Sequence, residues 1–131
     1  FVSDKSAKKG DVTDSLLSTG CKLSPCTIKS SLMFESCEVD SDSIIVESII
    51  FPNTHIGRNV VIKRALIDRN CNVPDNIEIG VDVRDDLNRG FRISKDGVVL
   101  VTQKMLDKLA KSREQYISTI RQANQLQTLF L

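Results

Sequence analysis

IIVESIIFPNTHIGRNVVIKRALIDRNCNVPDNIEIG, residues 44–80, is the stretch that decides the fold. Ile44, Ile50 and Ile56 stand six residues apart, and after one five-residue step Val61, Ile67, Val73 and Ile79 resume the interval. Upstream, Leu17 and Leu23 share it. Four residues after most of these beats comes a small or slender side chain: Cys21, Thr27, Ser48, Thr54, Val60, Ala65 and Cys71. A helix repeats every 3.6 residues and a strand every two, so neither explains the interval. Hexapeptide repetition belongs to a β-helix, in which short strands stack coil upon coil. The aliphatic residue of each hexad points inward along a flat side, and the small residue points inward near a corner, where little room remains. A β-sandwich would instead need turn dipeptides every 8–12 residues, and these are sparse.

The rest of the chain is read around this core. Its 131 residues suit one domain. With 40% hydrophobic and 27% charged residues it has the composition of a globular protein. A net charge of +1 gives no global reason to expect nucleic acid or a membrane surface as a partner. No apolar run approaches the ~20 residues of a membrane helix, and no signal peptide is visible. Cys21, Cys26, Cys37 and Cys71 form no C-x-x-C pair, and the single histidine, His55, is remote from them in sequence. No metal site is expected. The cysteines read as reduced space-fillers of a cytoplasmic protein.

Residues 1–14 are polar and charged and are expected to be a linker from an N-terminal domain not contained in the chain. Residues 15–94 are expected to form the β-helix and its exit loop. The beat is irregular between Ile28 and Val39, which predicts a loop or bulge there. Pro25, Pro52 and Pro74 fall near hexad boundaries, where a missing N–H harms a ladder least. Residues 81–94 read as a polar loop, with Asp82, Asp85 and Asp86 pairing to Arg84 and Arg89. Residues 95–131 are expected to be a strand, Val98 to Val101, after a Lys95-Asp96-Gly97 turn, and then a helical tail. Thr102 is the expected N-cap. Met105, Leu109, Tyr116, Ile120 and Ala123 recur at helical spacing, and this helix could close the open end of the β-helix. The fold class is therefore mainly β: a parallel β-helix with a C-terminal strand and helix.

DSLLSTGC (14–21), ALIDRNCNVP (65–74) and GVVLVT (97–102) are more specific than the repeat. In this order they resemble the C-terminal domain of bacterial glucose-1-phosphate adenylyltransferase, over roughly residues 12–110. The resemblance implies a left-handed parallel β-helix following a nucleotidyltransferase domain. It implies an enzyme that makes ADP-glucose and pyrophosphate from ATP and glucose 1-phosphate with Mg²⁺, in glycogen biosynthesis. It also implies a homotetramer whose β-helix helps assembly and forms sites for phosphorylated metabolite effectors. The chain has six glycines and no phosphate-cradling glycine motif. It is expected to be catalytically silent by itself, with no cofactor of its own.

Arg69, in the I-D-R of the family motif, is the expected contact for an anionic effector, with Arg64 beside it in sequence; a guanidinium grips phosphate bidentately. Arg58 and Lys63 read as a solvated face. The resemblance also implies two arginines after V-T, where this chain has Gln103 and Asp107, with Lys104 and Lys108 turned about 100° away on the helix. That departure points away from a fructose 1,6-bisphosphate response. His55 reads as a corner histidine without a carboxylate partner. The alternatives are a non-catalytic regulatory paralogue and a hexapeptide acyltransferase with His55 as its base.

Overall fold

The computed structural model describes residues 10–129. Its chain winds as a parallel β-helix of three flat sides. One side stacks β1 (Asp11–Thr13), β4 (Thr27–Lys29), β7 (Ile44–Val46), β10 (Val61–Lys63) and β13 (Glu78–Ile79). The second stacks β2 (Leu16–Leu17), β5 (Leu32–Met33), β8 (Ile49–Ile50) and β11 (Ala65–Ile67). The third stacks β3 (Lys22–Leu23), β6 (Glu38–Val39), β9 (His55–Ile56) and β12 (Asn72–Val73). Because β1 already pairs with β4, the first coil starts inside the segment read as linker. The rest of that segment, residues 1–9, lies outside the described residues.

Register sets the interior. Ile28, Ile45 and Ile62 align on the first side, with Ile79 above them. Leu17, Met33, Ile50 and Ile67 align on the second, and Val39, Ile56 and Val73 on the third. Nearly all are fully buried. Each such side chain contributes about 1.5–3 kcal/mol of burial. No single coil could bury it alone.

Two expected beats are corrected. Ile44 is 38% exposed and Val61 only half-buried; their neighbours Ile45 and Ile62 are the inward residues. The five-residue step recurs in every complete coil, on the way from the first side to the second, as in Ile28 to Met33, Ile45 to Ile50 and Ile62 to Ile67. Placing a single such step after Ile56 displaced the reading by one residue on that side, which turns a side chain to the other face. A second five-residue step, from Leu23 on the third side to Ile28 on the first, shortens the first coil and makes Cys26, not Thr27, the buried small residue. The segment between Ile28 and Val39 holds no bulge either: β5 pairs in register on both sides. Met33 takes the inward position there, and a search for branched aliphatics passes over it.

The corners explain the small residues. Ser30, Ser36, Asp42, Glu47, Asn53, Asn59, Arg64, Asn70 and Asn76 all have left-handed backbones, with φ between 45° and 66°. Each immediately precedes a buried corner residue. Asn and Asp tolerate this region best, and asparagine holds four of the nine positions. Ser48 shows what the inward corner residue does. Its hydroxyl donates to the Val46 carbonyl at 2.8 Å and accepts the Ala65 N–H of the next coil at 3.1 Å. Ser31 repeats the pattern one coil earlier, whereas Ser43 donates to the Gly57 carbonyl of the next coil and accepts the Val60 N–H there. Among the described residues no buried side-chain nitrogen or oxygen lacks a partner. The four cysteines are free, and burial pushes the Cys26 and Cys71 thiols up to about 11.

Residues 81–94 are more ordered than expected. They contain a helix, α1 (Val83–Asn88), capped by Asp82, whose carboxylate accepts the Arg84 and Asp85 N–H groups. They also contain a strand, β14 (Arg92–Ile93). Asp86 is completely buried; it accepts the Gly80 N–H at 3.1 Å and the Arg89 Nη2 at 2.8 Å. Arg89 also pairs with Asp85 at 3.6 Å and donates to the Glu78 carbonyl. Among the described residues Arg84 forms no ion pair, so only the Arg89 half of the expected pairing exists.

After the expected Lys95-Asp96-Gly97 turn comes β15 (Val99–Val101), which adds in parallel to β11 and supplies the strand a further coil would have brought. β14 covers its outer edge antiparallel. Thr102 caps helix α2 (Gln103–Leu129), its hydroxyl accepting the Met105 N–H at 3.3 Å. Leu106 is buried on the end of the β-helix, with Met105 and Leu109 packed beside it. Gln103 Oε1 accepts the otherwise free Asn72 N–H of β12 at 2.8 Å. The first two turns of α2 therefore close the coil end, as expected. From Ala110 to Leu129 every residue is exposed, on a helix about 40 Å long.

Candidate functional site

The two expected arginines sit at opposite ends of β11. Arg64 occupies the left-handed corner before it (φ 45°), and its Nη2 donates to the Asp96 carbonyl at 2.8 Å. It therefore ties the β14–β15 turn to the coil. Arg69 follows β11, exposed, with its backbone N–H held by the Asp68 carboxylate at 2.9 Å. Among the described residues its guanidinium has no partner. At ~3.3 Å per residue, five residues of extended chain separate the two by roughly 16 Å. The structure does not bring them together.

Arg69 stands three residues before Asn72 of β12, the strand on which α2 packs. The corner of Arg69 and Asn70 leads into Asn72, whose N–H is held by Gln103. Gln103 Nε2 in turn donates to Asp107 Oδ1 at 2.9 Å. The two positions that differ from the resemblance thus form a hydrogen-bonded pair on the helix face toward β12. Asp107 thus puts a carboxylate on this face, where the resemblance implies an arginine.

Of the other basic residues, Arg58 is paired with Asp75 at 3.7 Å, both exposed, an arrangement that contributes little. Lys63 is exposed. His55 corrects its expectation: Nε2 lies 2.9 Å from Asp40 Oδ2, with side chains 42% and 36% exposed. The two residues are fifteen apart in the chain and meet across adjacent coils of the third side. Sequence proximity could not reveal this pair, and the 17-residue coil spacing places Glu38 opposite His55, with Asp40 two residues further on. Among the described residues no group of three His, Cys, Asp or Glu could hold a metal ion. No helix is long and apolar enough to cross a membrane.

The outer faces differ in kind. On the second side Leu16, Leu32, Ile49, Leu66 and Leu100 align in register, all pointing outward. Leu16 is 72% exposed. Beside this column Phe34 and Phe51 stack in parallel, with ring centroids 5.2 Å apart. The third side carries Lys22, Glu38, His55 and Asn72 outward instead.

Residues 1–101 match the family model described as GlmU-like, C-terminal hexapeptide. The chain belongs to that hexapeptide family. The family match ends at the last residue of β15, so α2 lies beyond it. Three relatives extend the comparison. The chain is 43% identical over 109 residues to a protein of Teredinibacter turnerae named Glucose-1-phosphate adenylyltransferase, covering 83% of the chain and 26% of the relative. A protein of the same name from Actinobacillus succinogenes is 39% identical over 109 residues, covering 83% and 25%. Glucose-1-phosphate adenylyltransferase 2 of Pseudoalteromonas atlantica is 44% identical over 106 residues, covering 81% and 25%. The hexapeptide chain thus spans about a quarter of the length of these relatives, and the resemblance read from its motifs holds.

Proposed function

We propose that the chain is the regulatory and oligomerisation part of an enzyme that makes ADP-glucose and pyrophosphate from ATP and glucose 1-phosphate in glycogen biosynthesis. The observation that carries this reading is 39–44% identity, over more than 100 residues, to relatives named for glucose-1-phosphate adenylyl transfer. ATP and Mg²⁺ would be held by a catalytic domain elsewhere in the protein, which acts in the cytoplasm as a homotetramer. The continuous apolar column of Leu16, Leu32, Ile49, Leu66 and Leu100 supports an interface role, since exposed apolar patches of this kind mark contact surfaces.

Arg69 is the residue assigned to the anionic phosphorylated effector, because its guanidinium is exposed and has no partner among the described residues. Arg64 acts at most as a support, through the turn it holds at Asp96. In the complete enzyme, Arg69→Ala should reduce effector sensitivity and leave basal adenylyl transfer unchanged. An effector response equal to wild type would overturn the assignment. Loss of basal activity along with the response would mean that Arg69 serves structure or catalysis instead.

A further inference from the structure

We propose that two copies of this chain associate by exchanging the exposed part of α2, so that Tyr116, Ile117 and Ile120 of each copy lie over a groove formed by Leu16, Leu32 and Ile49 of the other. This names a partner for the lower part of the apolar column and rests on the assembly role given to that column above.

The groove belongs to the first three coils. Leu16, Leu32 and Ile49 each contribute one rung, and Asp14 and Glu47 stand along its edge. It holds about 430 Å³, and no cation lines it. Asp14, Ser30, Glu47 and Arg64 hold the same left-handed corner in successive coils. The acidic edge therefore ends at the fourth coil, where Arg64 is tied to the Asp96 carbonyl. Among the described residues the Asp14 and Glu47 side chains form no ion pair or hydrogen bond.

The exposed part of α2 is complementary in shape and charge. Helical spacing puts Tyr116, Ile117, Ile120 and Ala123 on one face, and it is the face that carries Leu106 and Leu109 onto the coil end. The apolar stripe thus runs on past the part that is covered. Residues 110–129 carry three cations, Lys111, Arg113 and Arg121, and one carboxylate, Glu114. Glu114 lies about 120° round the helix from Ile120. Among the described residues these four charges form no ion pair. Leu16 to Ile49 spans two coil steps, ~10 Å at ~4.8 Å each. Tyr116 to Ala123 spans ~10 Å at 1.5 Å per residue. Asp14 and Glu47 are the same two steps apart, and Arg113 and Arg121 are separated by ~12 Å along the helix. Two arginines can therefore meet two otherwise unpaired carboxylates while the apolar residues between them meet.

The contact has to come from a second copy. The groove lies in the first three coils, whereas α2 is docked at the other end, beyond the fourth. Helix α2 is continuous from Gln103 to Leu129 and contains no proline or glycine at which to turn back. Mutual exchange closes as a two-fold dimer. The tail lies outside the hexapeptide match, which ends at residue 101, so the contact is not supplied by the repeat itself.

The test is light scattering of the 131-residue chain over rising concentration, which should approach the mass of two chains. A tail variant, Tyr116→Asp with Ile120→Asp, and a groove variant, Leu16→Lys with Ile49→Lys, should each weaken self-association about tenfold or more, as loss of central apolar contacts does. Arg113→Glu with Arg121→Glu should weaken it as well. Mixing the tail and groove variants should restore dimers, because the intact tail of one fits the intact groove of the other. All the altered side chains are exposed, so melting of the dilute chain should not move. The proposal is overturned if the unaltered chain stays monomeric, or if the mixed variants fail to associate. Association kept by the groove variant would overturn it too, showing that tails pair with each other. Association kept by the tail variant would overturn it in favour of direct pairing between columns, and would leave the column's assembly role standing.

Discussion

Asp86 has no exposed surface, yet it is a carboxylate. Burial raises its pKa above the usual 3.8, and this outweighs the hydrogen bonds from Arg89 and Gly80, which act in the opposite direction. A carboxyl whose folded pKa lies above its unfolded value favours the folded state most below the unfolded pKa. That contribution is lost as pH rises through the folded pKa. The stability of wild type relative to Asp86→Asn should therefore fall as pH is raised from about 3.8. Urea unfolding of both proteins across pH would show it, and a rising difference would mean that the Arg89 pairing dominates. Gly80 next to it adopts φ 81°, and a Cβ there would lie 1.8 Å from the Lys63 carbonyl oxygen. Gly80→Ala should cost at least about 2 kcal/mol, through both strain and collision. The interior register can be tested as directly. Ile62→Ala should cost about 2–5 kcal/mol, whereas Ile44→Ala on the outer face should cost under about 1 kcal/mol. Comparable losses at both would contradict the assignment of Ile62 as the inward residue.

Among the elements, α2 is divided by burial. Its first turns seal the β-helix through Leu106 and the Gln103–Asn72 bond; beyond Leu109 every described residue of the helix is exposed. Truncation after Lys111 should leave the melting temperature within about 2 °C of the full chain, because no buried contact is lost. Truncation after Val101 should lower it sharply, because Leu106 is removed and the Asn72 N–H loses its partner. Equal melting of both truncations would show that α2 does not seal the coil. The helix itself and its Thr102 cap were legible from local spacing and cap chemistry. The reach of its packing was not, since Tyr116, Ile117 and Ile120 repeat in the helical manner of buried residues and yet stand 68%, 49% and 41% exposed. Hydrophobic periodicity says which face is apolar and is silent on whether anything covers it. The short elements α1 and β14 escaped notice for a different reason. Their local patterns are weak, and they depend on Asp82, Asp86 and the pairing to β15.

The whole molecule presents one apolar side, one polar side and a free helix. If the leucine column is the assembly surface, Ile49→Lys together with Leu66→Lys should reduce the mass seen by light scattering in the complete enzyme. The isolated chain should unfold as before, because both side chains point outward. An unchanged mass would remove that face from the interface. The hexapeptide interval by itself determined that this chain is a β-helix, since only stacked coils bury a six-residue beat. The three family motifs carried the resemblance that its relatives sustain. Small corner residues and Asn-rich turns are likewise local requirements, written residue by residue. Tertiary structure alone decided the rest: which of two adjacent isoleucines turns inward, how His55 meets Asp40, that Arg64 and Arg69 part to opposite ends of a strand, and that Gln103 holds the Asn72 N–H. Each of these depends on the alignment of one coil with the next or on the docking of α2. Such contacts join residues distant in sequence, and no local preference encodes them.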